Sequence, residues 1–287
     1  MADTVWTVGA LLSWTSTYFE AHGIESPRLD AELLLSHVLK KPRIALYTDF
    51  DQIVSLQERA QYREWIQKRV SGRSVAAITG KKEFMGLTFY VNEHVLIPRP
   101  DSETWIEKVI QYHRNDGALH IADLGTGSGA LLISFLYYNK KANGIGIDIS
   151  EKALETARQN GETLGISARA EWRLGDYTDA LGEGEVFDGI LTNPPYIPSA
   201  DMEGLPKEVK AEPPMALDGG DDGLSFYKRL ALAAPKAIRS GGFIAAEVGD
   251  GQAGSVKNML METDAFEKFE IIQDYGGIER AVYAKRK

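Results

Sequence analysis

Cysteine is absent from the 287-residue chain, and this absence excludes several kinds of chemistry at once. The protein can form no disulfide, no thiolate nucleophile and no cysteine-ligated zinc site. Histidine is scarce as well, because the five histidines, at positions 22, 37, 94, 113 and 120, lack the spacing of a metal-binding motif. We therefore expect no metal ion.

Long apolar runs are also missing. No segment reaches the roughly 18 consecutive apolar residues that a membrane span requires. The first twenty residues are partly apolar, but they contain Asp3 and Glu20 and lack the basic region of a secretory signal. These features predict a cytoplasmic protein that binds no membrane.

Basic residues are outnumbered, with 32 Lys and Arg against 41 Asp and Glu and a net charge of −9. Sequence-independent binding to nucleic acid depends on clustered Lys and Arg. The evident basic stretch is the short KRK at 285–287. We therefore expect a protein or small-molecule substrate and no stable binding of nucleic acid.

The residues that are present divide the chain into three stretches. Residues 1–75 follow helical spacing and predict a small helical domain that recognises the substrate. Residues 76–100 have a looser composition, and the apolar stretches around Asn92 and Glu93 predict a linker with a β-hairpin. In residues 101–287, β-rich and helical segments alternate, which predicts an α/β domain with a mostly parallel sheet.

A glycine-rich turn, DLGTGSGA at 123–130, joins the first strand of the α/β domain to a helix. Glycines let a backbone approach a ligand closely, although such a pattern also builds plain turns. Asp148 ends the next strand, 23 residues beyond Gly125, near the spacing at which an acid binds ribose hydroxyls. The P-loop lysine is missing and the glycine spacing departs from that of dinucleotide enzymes. These features predict a nucleoside site.

Two further acids occupy the same predicted edge of the sheet. Asp123 precedes the glycines, where it would repel a pyrophosphate but suit a ligand with an ammonium or sulfonium charge. Alternatively, Asp123 hydrogen-bonds the backbone of the loop. Asp176 follows the third strand of the domain. A cationic nucleoside fits all of these acids, and S-adenosylmethionine matches that description.

The segment NPPY, Asn193 to Tyr196, follows the strand-like stretch FDGILT. Each proline fixes φ and lacks an N–H, so the segment forms a stiff corner. A corner at the carboxyl end of a strand lies where open α/β sheets bind ligands. Taken alone, however, two consecutive prolines are more typical of an ordinary turn.

Five ordered motifs resemble the PrmC/HemK family, whose members methylate the glutamine of the Gly-Gly-Gln motif in peptide chain release factors. The motifs are LIPRPDSE at 96–103, DLGTGSGA at 123–130, NPPYI at 193–197, AEPPMALDGGDDGLSFY at 211–227 and DYGGIER at 274–280. Ala211 departs from the family, which often has an aromatic residue there. The resemblance covers nearly the whole chain and implies a Rossmann-like methyltransferase domain, S-adenosylmethionine as cofactor and release factors as protein partners.

The resemblance also implies roles for particular residues. Asn193 would offer its side-chain oxygen, and Pro194 its carbonyl oxygen, to the two hydrogens of the substrate amide, while Tyr196 would stack on the amide plane. These three residues are the predicted catalytic set, and with Pro195 they form the predicted substrate site. The predicted cofactor-binding residues are Gly125, Thr126, Gly127, Ser128, Gly129, Asp148, Asp176, Tyr177 and Asn193.

Two other readings stay open at this point. NPPY also occurs in methyltransferases that act on the exocyclic amine of adenine in DNA or RNA, which must extract a base and hold phosphates. The acidic net charge argues against that substrate, although a local basic patch is compatible with a negative total. A catalytically silent binding module would keep the glycine turn without needing NPPY.

Overall fold

The computed structural model describes residues 5–177, 179–181 and 184–287. By its internal contacts, the chain divides into two compact units, Met1–Gly80 and Lys81–Lys287. Along the described residues, no helix is both long and apolar enough to cross a membrane.

The described part of the first unit is helical. Its helices are α1 (Val8–Ala21), α2 (Pro27–Leu39), α3 (Ala45–Thr48), α4 (Leu56–Val70) and α5 (Val75–Thr79). A capping box starts α4, because Ser55 accepts a hydrogen bond from the N–H of Glu58 and the Glu58 carboxylate accepts one from the N–H of Ser55. The helices enclose their own apolar core, which includes Leu12, Phe19 and Leu34.

Two polar contacts fix α4 against α2 inside this core. The Tyr62 hydroxyl donates to the carbonyl of Ala31 at 3.0 Å. The Arg69 guanidinium donates to Asp30 at 2.6 Å, and both side chains are buried. A buried charge without its partner costs several kcal/mol, so this pair specifies one arrangement of the two helices.

The second unit alternates strands and helices. Its strands are β1 (Lys81–Phe84), β2 (Leu87–Tyr90), β3 (His120–Leu124), β4 (Asn143–Asp148), β5 (Ala170–Leu174), β6 (Phe187–Thr192), β7 (Ile238–Glu247), β8 (Phe266–Gln273) and β9 (Glu279–Arg286). Its α-helices are α6 (Pro100–Tyr112), α7 (Ala130–Tyr138), α8 (Glu151–Thr163), α9 (Lys207–Lys210), α10 (Ser225–Ala237) and α11 (Ala253–Glu262). Short 3₁₀ helices cover Ser199–Gly204 and Pro214–Ala216.

Seven strands form one sheet in the order β5-β4-β3-β6-β7-β9-β8. The first five are parallel, and β9 and β8 close one edge as antiparallel strands. This architecture confirms the predicted Rossmann-like, mostly parallel α/β fold. The strand order reverses beside β3, and in such sheets ligands bind outside the carboxyl ends of the strands at this point. Apolar clusters fill both faces, so the sheet is a rigid support for that edge.

The predicted position of the β-hairpin is wrong. The hairpin is formed by β1 and β2, and it turns at Met85 and Gly86, whose φ values of +51° and +68° are those of a primed two-residue turn. The stretch around Asn92 contains no strand. The hairpin lies in the second unit because Asn160 of α8 hydrogen-bonds both backbone groups of Tyr90, at 2.7 and 3.0 Å.

Candidate active site

A cleft opens at the carboxyl ends of β3, β4 and β6. It brings together most of the residues predicted to bind the cofactor. The predicted residues that line it are Gly125, Thr126, Gly127, Ser128, Asp148, Tyr177 and Asn193. Gly129 and Asp176 do not line the cleft.

The glycine loop takes its shape from residues in the left-handed region. Gly127 and Gly129 have φ values of +55° and +80°, which residues other than glycine rarely adopt. A Cβ at Gly129 would lie 2.8 Å from Ile133 and 3.0 Å from Trp172, so glycine is required there for packing. A Cβ at Gly127 would meet nothing within 4 Å. The loop therefore leaves open space beside the backbone of Gly127.

Asp148, at the end of β4, holds the loop and faces the cleft. Its two carboxylate oxygens accept hydrogen bonds from the N–H groups of Gly127 and Ser150, each at 2.9 Å. Burial raises the pKa of Asp148, and these N–H donors partly offset the increase. A carboxylate fixed in this way retains lone pairs for two hydroxyl donors in the cleft.

Asp123 does not reach the cleft. It is fully buried, and its Oδ2 accepts hydrogen bonds from the Thr126 hydroxyl at 2.7 Å and from the N–H of Leu132 at 3.3 Å. Burial raises the pKa of Asp123 to about 7. Of the two interpretations that the sequence allows, the structure supports a carboxyl group that braces the loop.

Tyr177 and Asp176 are neighbours with different surroundings. Tyr177 lines the cleft, packs edge-on against Phe226 at 4.7 Å, and has a pKa that burial raises to about 12. Asp176 instead pairs with Arg229 of α10 at 3.1 Å. The third acid predicted at this edge is therefore held in an ion pair outside the cleft.

A second cavity, of about 310 Å³, adjoins the cleft, and Leu96, Asn193 and Ala216 line both. Most of its lining is apolar, and Tyr196 forms part of it. The lining cation Arg99 is paired with Glu212, and the lining carboxylate Asp101 is paired with Arg280. The second cavity therefore has the size and polarity to hold an uncharged side chain beside the cleft.

The NPPY corner stands between the two cavities. Asn193 lines both, and its side-chain Oδ1 is buried without a hydrogen-bond partner among the described residues. Pro194 is buried, Pro195 lines the cleft, and Tyr196 lines the second cavity. Buried polar atoms are nearly always paired in native proteins, so an orphaned oxygen at this place indicates a donor supplied by a ligand.

Backbone contacts fix the corner. The Tyr196 carbonyl accepts a hydrogen bond from Gln252 at 2.9 Å. Two glycines of the GGDDG segment pack so closely that a Cβ at Gly219 would lie 2.8 Å from the Cα of Tyr196, and one at Gly223 would lie 2.3 Å from its carbonyl oxygen. The motif at 211–227, which the sequence offered as a family marker, thus has a physical role in holding Asn193 and Tyr196.

Two buried carboxylates that the sequence analysis did not single out support the walls of both cavities. Glu212 accepts a hydrogen bond from the N–H of Ile97 at 3.0 Å and pairs with Arg99. Glu247, at the end of β7, accepts hydrogen bonds from Ser102 at 2.6 Å and from the indole N–H of Trp105 at 2.7 Å. Glu212 thus joins the LIPRPDSE segment to the motif at 211–227, and Glu247 joins it to the end of β7. Among the described residues, no three His, Asp or Glu side chains are placed to hold a metal ion together.

Two family models match this chain. The PrmC N-terminal domain model matches residues 10–80, and a methyltransferase domain model matches residues 115–218. The chain is also similar in fold to the hMettl16 catalytic domain, solved in complex with the MAT2A 3′UTR hairpin 6. That match has a TM-score of 0.55 and 14% identity and covers 79% of this chain and 81% of the other. Fold and site together define a Rossmann-like methyltransferase that uses S-adenosylmethionine.

Curated relatives identify the family. The release factor glutamine methyltransferase of Moorella thermoacetica is 38% identical over 93% of this chain and 94% of its own length. The protein of the same name from Geobacter sulfurreducens is 38% identical over 97% and 96%. The chain belongs to the release factor glutamine methyltransferase family, which confirms the resemblance drawn from the five motifs.

Proposed function

We propose that the protein methylates the side-chain amide nitrogen of the glutamine in the Gly-Gly-Gln motif of peptide chain release factors, which modulates translation termination. The single observation that carries this proposal is the buried Oδ1 of Asn193, which has no hydrogen-bond partner in the described part of the chain and lies where the two cavities meet. A primary amide in the second cavity supplies the missing donor. This role places the enzyme in the cytoplasm with the translation apparatus.

The residues of the cleft suit the cofactor. When bound, S-adenosylmethionine supplies a methyl group activated by its sulfonium charge. Asp148, fixed by two N–H donors, is suited to accept hydrogen bonds from the ribose hydroxyls. The open space beside Gly127 would take the methionine end, and the neutral, buried ring of Tyr177 would border the adenine. Asp176 would reach the adenine only by releasing Arg229.

The acceptor side has to orient an amide, whose nitrogen is a poor nucleophile because its lone pair is delocalised. In our proposal, Asn193 Oδ1 and the carbonyl of Pro194 accept the two amide hydrogens, so that the nitrogen faces the methyl group. Tyr196 packs against the amide plane. Positioning is the main contribution. As the nitrogen gained the methyl group, the bond from that group to sulfur would break and neutral S-adenosylhomocysteine would leave. The amide would need no strong base because its proton passes to solvent during or after alkylation.

The second cavity favours this acceptor over a nucleic-acid base. Its cation Arg99 is already paired with Glu212, which leaves no free positive charge among its lining residues for a phosphate. The net charge of −9 also disfavours binding to nucleic acid. We propose that the protein forms no stable complex with nucleic acid.

A labelling experiment tests the function. The protein is incubated with methyl-labelled S-adenosylmethionine and, in separate reactions, with a release factor, its Gly-Gly-Ala variant, or adenine-containing RNA and DNA. We expect label on the release factor alone, at the glutamine of the motif when the product is sequenced by mass spectrometry. Label on nucleic acid, or equal label on the Gly-Gly-Ala variant, would contradict the proposal.

A further inference from the structure

A groove of about 620 Å³ opens on the surface of the helical unit, between α1 and α4. On the α1 side, Leu11, Trp14 and Tyr18 recur at helical spacing, and Trp14 is 48% exposed. On the α4 side, Leu56 is 77% exposed. Contiguous apolar side chains that stay this exposed are typical of protein interaction sites.

The aromatic wall of the groove is an ordered ladder along α1. The ring of Trp14 stacks on that of Tyr18 with a distance of 5.0 Å between ring centroids. It also packs edge-on against Trp6, with a centroid distance of 6.4 Å. The rings of Tyr18 and His22 lie next to each other, with a centroid distance of 4.2 Å. The Nδ1 of His22 lies 2.7 Å from the carbonyl oxygen of Tyr18, which fixes the His22 ring. Rings fixed by their neighbours lose little conformational entropy when a partner covers them, which favours binding.

The α4 wall adds positive charge. Arg59 and Arg63 lie one helical turn apart and both line the groove. The Nε of Arg59 is buried and has no hydrogen-bond partner in residues 5–177, 179–181 and 184–287. Within the part of the chain that the structure describes, neither arginine has a carboxylate partner.

The nearby acids of α4 are already engaged. Glu58 accepts hydrogen bonds from the backbone and hydroxyl of Ser55 in the capping box. Glu64 pairs with Lys68 at 2.7 Å. The groove therefore combines an apolar floor with two guanidinium groups that no described carboxylate neutralises, and this combination is complementary to an apolar segment that carries a carboxylate.

We propose that this groove docks a segment of the release factor in which apolar side chains flank an Asp or Glu. The proposal rests on the proposed function and adds a docking surface on the helical unit to the site that binds the glutamine. The apolar side chains cover the ladder of Trp14 and Tyr18, while the carboxylate binds Arg59 and Arg63. A contact of this kind raises the affinity for the intact protein substrate and leaves the chemical step unchanged.

Kinetics with two substrates test the proposal. Trp14→Ala and Arg63→Glu are compared with two controls at exposed positions that do not line the groove. Ile44→Ala also truncates an exposed apolar side chain, and Arg73→Glu makes the same charge reversal. We expect both groove variants to raise KM for a full-length release factor by about tenfold, the scale of a central interface residue. Their kcat and cofactor affinity should match wild type, as should their activity on a short Gly-Gly-Gln peptide, and thermal unfolding is used to show that both variants are folded.

Failure of the docking proposal and failure of the proposed function give different results. If wild type methylates the release factor and the groove variants keep its KM, the docking surface is wrong while the function stands. If wild type methylates no release factor, the proposed function is wrong. A loss that is equal on the short peptide would also contradict docking, since the peptide lacks the proposed docking segment.

Photocross-linking identifies the occupant directly. A benzoylphenylalanine at Gln67, which lines the groove, is activated in the full-length protein with the release factor present. We expect a cross-linked release factor peptide that contains apolar residues and at least one Asp or Glu, and no such product from the probe at Ile44. A cross-link to a second copy of this chain, or to a peptide without a carboxylate, would overturn the proposal.

Discussion

Glu212 and Ile97, which are 115 residues apart in the chain, are joined by a hydrogen bond of 3.0 Å from the Ile97 N–H to the Glu212 carboxylate. The same buried carboxylate pairs with Arg99. The Glu212 side chain thus links the LIPRPDSE segment to the motif at 211–227, and residues of both segments line the cleft and the second cavity. The arrangement explains why two motifs that are remote in sequence serve one site.

The hydrogen bond and ion pair of Glu212 should contribute to both stability and cofactor binding. Glu212→Ala leaves a buried N–H and a guanidinium without their acceptor, so the free energy of unfolding should fall by about 1–3 kcal/mol. Cofactor affinity should fall as well, because Leu96 and Met215 line the cleft on either side of these contacts. Glu212→Gln keeps an acceptor and should lose less.

Urea unfolding and calorimetric titration measure both effects. Glu203→Ala, an exposed change in the neighbouring 3₁₀ helix, is the control, and we expect it to alter stability by less than about 0.5 kcal/mol. A Glu212→Ala variant with wild-type stability and cofactor affinity would show that the two segments hold their places without it.

The second prediction compares two acids at the same edge of the sheet. Asp148→Ala should weaken cofactor binding by about 1–3 kcal/mol, the scale of a hydrogen bond to a charged group. Asp176→Ala should change it far less, because Asp176 pairs with Arg229 outside the cleft. Calorimetry on both variants, with thermal unfolding to show that they are folded, checks the ranking. Equal losses would mean that Asp176 leaves Arg229 to bind the cofactor.

The third prediction concerns pH. The raised pKa of Asp123, about 7, means that the folded state binds its proton more tightly than the unfolded chain does. The stability linked to this group is therefore complete below about pH 4 and is lost as pH rises to about 7. Each unit of pKa shift corresponds to about 1.4 kcal/mol, so the loss amounts to a few kcal/mol.

Asp123→Asn removes this titration while keeping an oxygen acceptor for Thr126 and Leu132. Denaturant unfolding from pH 4 to pH 8 should show that the stability of wild type, relative to the variant, declines over this range. Parallel stability curves for the two proteins would rule out the assigned pKa.

Local sequence patterns were sufficient for the elements that position the site. Alternating segments predicted the parallel sheet, the glycine turn predicted the loop beside Asp148, and the paired prolines predicted the rigid corner at Asn193. Such features depend on backbone geometry, which neighbouring residues determine. The hairpin was misplaced because its turn at Met85 and Gly86 carries a weak signal, whereas the apolar stretches around Asn92 imitate strands.

Other features depend on partners that are far apart in the chain, and spacing carries no information about them. Asp176 was expected to bind the cofactor, but Arg229, 53 residues away, engages it. Glu247 reaches Trp105 across 142 residues. Only the fold shows that Glu212 and Glu247 support the site and that the Oδ1 of Asn193 has no partner.

The most direct test of the central claim is the single-turnover rate of methyl transfer to the release factor by Asn193→Ala and Asn193→Asp. Both variants keep the two prolines, and Asn193→Asp also keeps an acceptor of nearly the same shape. If Oδ1 receives the substrate amide, Asn193→Ala should be slower by at least about 10²-fold, as expected for the loss of one preorganised polar contact at a reacting centre. Asn193→Asp should retain appreciable activity, and cofactor affinity should change less than the rate in both. A near-wild-type rate for Asn193→Ala would contradict the claim and would show that the NPPY corner is only a rigid turn.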